Sequence, residues 1–101
     1  MTERINPTYT FIYELVDPRS HKPRYVGKGN VPKRRLWQHV NGAKKGKDDP
    51  KSEWIRVLLD EGLKPGLRVV MKVPYGQWKR FERSLIAHYE SIGIELLNRH
   101  K

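Results

Sequence analysis

The stretch Tyr25–His39, Tyr-Val-Gly-Lys-Gly-Asn-Val-Pro-Lys-Arg-Arg-Leu-Trp-Gln-His, leaves the chain few ways to fold. It reads as a short strand over Arg24–Gly27, a glycine turn over Gly27–Asn30, and a helix over Pro32–Val40. Pro32 sits in the first helical turn, where its missing N–H costs nothing. Arg35 and His39 are four residues apart and stack on one side of that helix. At about 100° per residue the apolar arc is Leu36, Trp37 and Val40, with the stem of Lys33 between them. Arg35 and His39 fall at the edge of this arc, beside a strand end that offers Tyr25. Alone, the pair also describes the solvated flank of a basic helix.

The residues before it complete a hairpin. Tyr9–Val16 is rich in β-formers, and Asp17-Pro18-Arg19-Ser20-His21-Lys22-Pro23 is turn chemistry. Asn41-Gly42-Ala43 is expected to end the first helix. Lys44-Lys45-Gly46-Lys47-Asp48-Asp49 then reads as a mostly basic loop, either a solvated tip or a contact for phosphate. Asp49 and Pro50 are an N-cap and first-turn pair for a second helix, running to about Glu61 with Gly62 as its stop. That helix buries Trp54, Ile55, Leu58 and Leu59 and reads as structural throughout. Lys64-Pro65-Gly66 precedes a third strand, Leu67–Val73, and Pro74 follows it.

A last helix is expected over Gln77–Ser91. Trp78, Phe81, Leu85, Tyr89 and Ile92 recur at three- and four-residue steps, so one face is core. Glu82 falls inside that arc. A carboxylate there is costly unless an ion pair (Arg83, Arg35 or Lys79) or a bound cation offsets its desolvation. Met1–Pro7 is expected to be a poorly packed lead-in, and Arg99-His100-Lys101 a basic tail. Tyr9 and Tyr75 read as packing residues, and His21, His88 and His100 as surface or core residues without partners.

Charge narrows the partner. The net charge of +10 on 101 residues points to a polyanion, nucleic acid being the commonest. Three Trp and five Tyr support a folded core. With no Cys there are no disulfides or thiolate metal sites, in keeping with a reducing, cytoplasmic setting. No apolar run approaches the ~20 residues that span a bilayer, so no membrane partner is expected, and the N-terminus is not a signal peptide.

Taken together, Phe11-Ile12-Tyr13, Tyr25-Val26-Gly27, and Arg35 and His39 at ten and fourteen residues after Tyr25 resemble the GIY-YIG nuclease family. The Tyr-Val-Gly-Lys-Gly form, after Tyr-Glu-Leu-Val-Asp-Pro-Arg, is similar to the branch that includes LEM-domain structure-selective nucleases. Glu82 and Asn98 fit that family's metal-binding glutamate and late asparagine, so the likeness runs from Thr8 to Asn98. There are two departures. Phe11 replaces the first motif's glycine and is expected to crowd a strand edge. Lys28 stands where many relatives have serine and adds a cation near the site.

The resemblance implies a single α/β domain with its core over residues 8–98. A small, three-stranded, mainly antiparallel sheet is flanked by about three helices. It implies a metal-dependent DNA endonuclease, with Tyr13 as general base and His39 relaying its proton or orienting it. Tyr25 positions water or phosphate, and Asn98 holds the site together. Glu82 is the sole protein ligand of Mg²⁺ or Mn²⁺, an ion that often takes only one or two carboxylates. Arg35 offers a planar fork to the phosphate oxygens. Because a free tyrosine has a pKa near 10, the base role requires positive charge to lower it, from Arg35, Lys28 or the metal. Lys28, Lys33, Arg34, Lys44, Lys45 and Lys47 are the expected phosphate contacts. With no appended targeting module expected, selectivity falls to loops, a protein partner or a homodimer. Structure rather than sequence is the expected preference, and the setting is nucleoid-associated if the source is bacterial or phage. Two rivals stand beside this reading: a catalytically inactive nucleic-acid-binding module of the same fold, and a ribosome-type RNA binder.

Overall fold

The computed structural model describes residues 8–98; the lead-in expected at Met1–Pro7 and the tail at Arg99–Lys101 lie outside them. Three strands and three helices follow one another as β1 (Tyr9–Val16), β2 (Pro23–Gly29), α1 (Pro32–Lys44), α2 (Pro50–Asp60), β3 (Gly66–Pro74) and α3 (Trp78–Ser91). A single 3₁₀ turn, Tyr75–Gln77, leads into α3. The sheet is antiparallel in the order β2-β1-β3, which makes β1 the central strand. This is the small α/β domain expected, three strands flanked by three helices. Among the described residues no helix is long and apolar enough to cross a membrane.

A central strand buried on both faces must carry two cores. Tyr13 and Leu15 point to α1 and α2, where they pack with Ala43, Trp54, Ile55 and Leu58. Ile12, two-fold out of phase with them, points to α3 and packs with Val26, Val73 and Ile86. Glu14, also on the α3 side, is 1% exposed. It pairs with Arg68 Nε at 2.7 Å and accepts a hydrogen bond from Tyr89. The desolvation of that carboxylate is thus met by a cation and a donor, as a buried charge requires.

Two polar anchors hold the layers in register. The Asp17 carboxylate, at the hairpin turn, accepts from Arg19 Nε at 3.0 Å and from Trp54 Nε1 of α2 at 3.1 Å. These donors hold its pKa well below the ordinary carboxylate range. At the other end the Asn98 side chain brackets Val26. Its Oδ1 accepts from the Val26 N–H at 2.8 Å and its Nδ2 donates to the Val26 carbonyl at 2.7 Å. Leu97 N–H also donates to the Arg24 carbonyl. The outer edge of β2 is thereby covered by chain rather than left open to pairing.

Five local expectations are corrected. Gly27–Asn30 is not a turn: β2 runs on to Gly29, which pairs with Phe11. Helix α1 passes through Asn41-Gly42-Ala43 and ends at Lys44, because the left-handed residue that stops it is Gly46, at φ 90°. Gly46 N–H bonds to the Ala43 carbonyl and Lys47 N–H to that of Gly42, a Schellman closure. Ala43 is fully buried, which offsets having Gly42 inside a helix. Trp37 leaves the apolar arc and stands 65% exposed. Ile92, past the end of α3, is exposed as well, and Ile86 takes the buried place on that helix. Phe11 crowds no edge. It lies on the central strand, half-buried, with its ring edge-on to that of Tyr9 at 5.7 Å.

Candidate functional site

Alternation along β2 puts Tyr25, Gly27 and Gly29 on the α1 side of the sheet. Both glycines are there for room. A Cβ on Gly27 would lie 2.6 Å from Tyr13 Oη, and one on Gly29 would lie 2.6 Å from Arg35 Cγ. The strand therefore forms a floor on which a tyrosine hydroxyl and an arginine stem rest. From α1, His39 reaches the same floor and shares a 2.7 Å hydrogen bond between its Nε2 and Tyr13 Oη. Its ring also meets Tyr25 edge-on, with centroids 5.2 Å apart.

Two clefts open over this floor, and Tyr25 and Glu82 line both of them. One continues past Gly27, Lys28, Arg34, Arg35 and Trp78. The other continues past Lys47, Asp49, Lys51 and Asn98. Glu82 comes from α3, on the far side of the sheet, and is half-buried. Among the described residues it makes no hydrogen bond and none of the ion pairs that Arg83, Arg35 or Lys79 offered. Burial raises its pKa, against the opposing charges of Lys28 and Arg83. Arg35 donates from one terminal nitrogen to Gln38 at 2.7 Å, while its buried Nε has no acceptor. A half-buried carboxylate with no ion-pair partner thus shares an opening with the Arg35 guanidinium.

The electrostatics of the tyrosines run against the simplest base role. Tyr13 is fully buried, and burial, helped by Tyr25 and opposed by Arg35, pushes its pKa up to about 12. The pKa of Tyr25 is raised by burial and then by Glu82. His39 moves the other way. Burial first, then the positive charges of Lys51, Arg35 and Lys47, bring it down to about 3, so its imidazole is neutral at pH 7. For Tyr13, burial thus outweighs Arg35, the one side-chain cation that acts on it.

The remaining basic residues separate into two places. Lys28, Arg34 and Lys47 border the clefts. Lys28 also lies over the Trp78 ring, with Nζ 4.7 Å from its centroid. Lys33 and Lys44 line a different groove, and exposed Lys45 lines none of these openings. Helix α2, expected to be structural throughout, also borders a cleft. Its Lys51 lines the second cleft, half-buried, with Nζ 5.0 Å over the Tyr25 ring. Burial lowers its pKa; Asp49 opposes this, and Lys47 and Arg35 add to it. One sequence signal marked it: a lysine in the first turn of a helix faces the positive end of the macrodipole. The Asp49 carboxylate caps the helix beside it, accepting from Ser52 N–H at 2.8 Å.

Comparison with protein-family models, with curated proteins and with solved structures gives no match.

Proposed function

We propose that this chain is a GIY-YIG-type DNA endonuclease that hydrolyses phosphodiester bonds with the help of a divalent cation. The observation that carries the reading is the meeting, on one opening, of an ion-pair-free Glu82 and the Arg35 guanidinium. The first suits a cation and the second a phosphate oxygen. The order of the motif residues along the chain and the three-stranded antiparallel architecture support the same assignment.

In this reading Arg35 binds the non-bridging oxygens of the scissile phosphate through its planar fork. Lys51, Lys47 and Lys28 hold that phosphate or its neighbours. Glu82 would hold Mg²⁺, or Mn²⁺, which supplies charge stabilisation for the pentacovalent phosphate and the departing oxygen. Tyr25, bordering both clefts, positions the attacking water. The water's oxygen bonds to phosphorus as the bond to the leaving sugar oxygen breaks, and the water's proton passes to the Tyr13–His39 pair.

Tyr13 and His39 take up the water's proton as one unit. A buried phenol with a pKa near 12 does not begin as phenolate. The hydroxyl instead passes its own proton to His39 Nε2 while accepting another. In the free protein His39 is a poor acceptor because burial, and then three cations, depress it. A bound phosphate neutralises those same cations and raises its pKa, so the relay is armed by substrate. Asn98 acts by fixing β2 rather than by chemistry.

The substrate is DNA of branched or flexible shape, whose distorted backbone enters a compact site at lower cost. A nucleoid or cytoplasmic setting fits, with a protein partner or homodimer supplying targeting. The complete burial of Tyr13 favours one second reading, a nucleic-acid-binding module of this fold whose site no longer cuts. Plasmid and branched DNA incubated with the protein, in Mg²⁺ and in chelator, separate the two. Products in Mg²⁺ alone support the nuclease; binding without products in either condition leaves the module.

A further inference from the structure

Trp37 is the aromatic residue that the fold leaves over. Among the described residues every other aromatic ring has a partner. Lys72 lies over Tyr9, Lys51 over Tyr25, Lys28 over Tyr75 and Trp78, Arg24 over Trp54 and Arg80 over Phe81. Phe11 meets Tyr9, Tyr13 meets His39, and Tyr89 meets His88. Trp37 has neither ring nor cation against it, and it is 65% exposed. It borders a groove with Leu36 and Val40, rimmed by Lys33, Lys44 and Lys64, and no acidic side chain lines it.

Position on the helix separates this groove from the clefts. Trp37 lies two residues from Arg35 and two from His39, hence about 160° round α1 from each. The groove belongs to the outer side of that helix, away from the floor formed by β2. A flat, unpartnered indole with three ammonium groups around it is the combination that binds single-stranded nucleic acid. The ring takes a base and the cations take the phosphates on either side. Charge complementarity selects this occupant, since the groove offers cations and no carboxylate, on a chain of net charge +10.

We propose that this groove is a second nucleic-acid contact, in which a base from an unpaired DNA segment stacks on Trp37 while Lys33, Lys44 and Lys64 hold its flanking phosphates. Duplex DNA keeps its bases stacked and cannot use the ring. The groove would therefore discriminate junctions, flaps and frayed ends from intact duplex. This does not depend on cleavage at the other site, and a protein that binds without cutting would show it equally.

The test is binding of a fluorescent oligothymidylate and of a blunt duplex of equal length, in chelator, to wild type, Trp37→Ala and Trp37→Phe. One stacked base is worth about 5- to 150-fold in affinity. Trp37→Ala should lose that much for oligothymidylate and less than about twofold for duplex, with Trp37→Phe between wild type and Trp37→Ala. Reversing Lys33, Lys44 and Lys64 to Glu together should flatten log K against log [salt] for the single strand by about 0.7 per phosphate, so about 2. Because Trp37 is exposed, the thermal midpoint of Trp37→Ala should match wild type, and this is checked first. Unchanged oligothymidylate binding by Trp37→Ala, or an equal loss for duplex, overturns the proposal. A concentration-dependent mass of the wild type that Trp37→Ala abolishes, with binding intact, also overturns it and makes the groove a self-association surface.

Discussion

Tyr13 and Gly27 face each other across the β1–β2 ladder, and the tyrosine's hydroxyl fills the place where a side chain on the glycine would be. A Cβ at position 27 would lie 2.6 Å from Tyr13 Oη and 2.7 Å from Cζ, closer than such atoms approach. The ring is fully buried, so a side chain there would push the hydroxyl from its place beside His39. Gly27→Ala should therefore cost about 1–3 kcal/mol of stability, as overpacking does, and should break the Tyr13–His39 hydrogen bond. Urea unfolding, with the His39 ring resonances as a local probe, measures both. Wild-type stability would show that the strand yields more easily than the contact implies.

The 2.7 Å bond between Tyr13 and His39 makes a kinetic prediction. Loss of general-base help costs about 10²–10⁴-fold. If the two residues move one proton together, Tyr13→Phe and His39→Gln should each lose about that much, and the double variant little more. Tyr9→Phe should lose almost nothing, since Tyr9 stands 44% exposed at the start of β1. Independent, multiplying losses in the double variant would mean that the two residues act separately.

His39 also sets a pH dependence. Its folded pKa is near 3 against an ordinary 6.5. Between those values the unfolded chain takes up a proton that the folded chain refuses. The stability is present above pH 6.5 and is lost as pH falls towards 3, by at most about 1.4 kcal/mol per pH unit. Glu82, whose folded pKa is raised by burial, acts in the opposite direction just above the ordinary glutamate range. The comparison is therefore wild type against His39→Gln, which should flatten the fall between pH 6.5 and 4. In NMR titrations the His39 ring should stay neutral through pH 5. Lys51→Met should raise its pKa, since Lys51 is the charge that depresses it most. An ordinary histidine titration near 6.5 in the wild type would contradict this.

Asn98 carries a separate expectation. Its amide satisfies both backbone groups of Val26 on the edge of β2. Asn98→Ala leaves both without their partner and should cost about 1–3 kcal/mol. Asn98→Asp keeps the acceptor for the Val26 N–H but loses the donor to its carbonyl, so it should recover part of the loss. Thermal unfolding of the three proteins orders them. Equal midpoints would mean that water replaces the amide without cost.

Much of the fold was legible because its signals are local. Asp49-Pro50 does cap and open α2, and Gly62 does close it in a left-handed conformation. What could not be read were features decided across the chain. Gly27 and Gly29 look like a turn, since nothing local says that Tyr13 and Arg35 need the space of their absent side chains. Gly42 looks like a helix stop until Ala43 is seen in the core. Glu14 alternates with Ile12 along a strand whose two faces are both covered, and only the fold reveals that it is the more deeply buried glutamate. Of the candidate residues, Tyr25, Arg35 and Glu82 border one cleft and His39 meets the Tyr25 ring, whereas Lys51 sits on a helix whose apolar pattern masks its first turn.

The most direct test of the account is Glu82→Ala beside wild type, assayed for cleavage of branched DNA in Mg²⁺ and for binding of the same DNA in chelator, with folding matched by circular dichroism. Removing the half-buried carboxylate should abolish cleavage. Binding should stay at the wild-type level or tighten, because a charge that repels phosphate is gone. Cleavage by Glu82→Ala at the wild-type rate would contradict the assignment of this opening as a cation-assisted nuclease site.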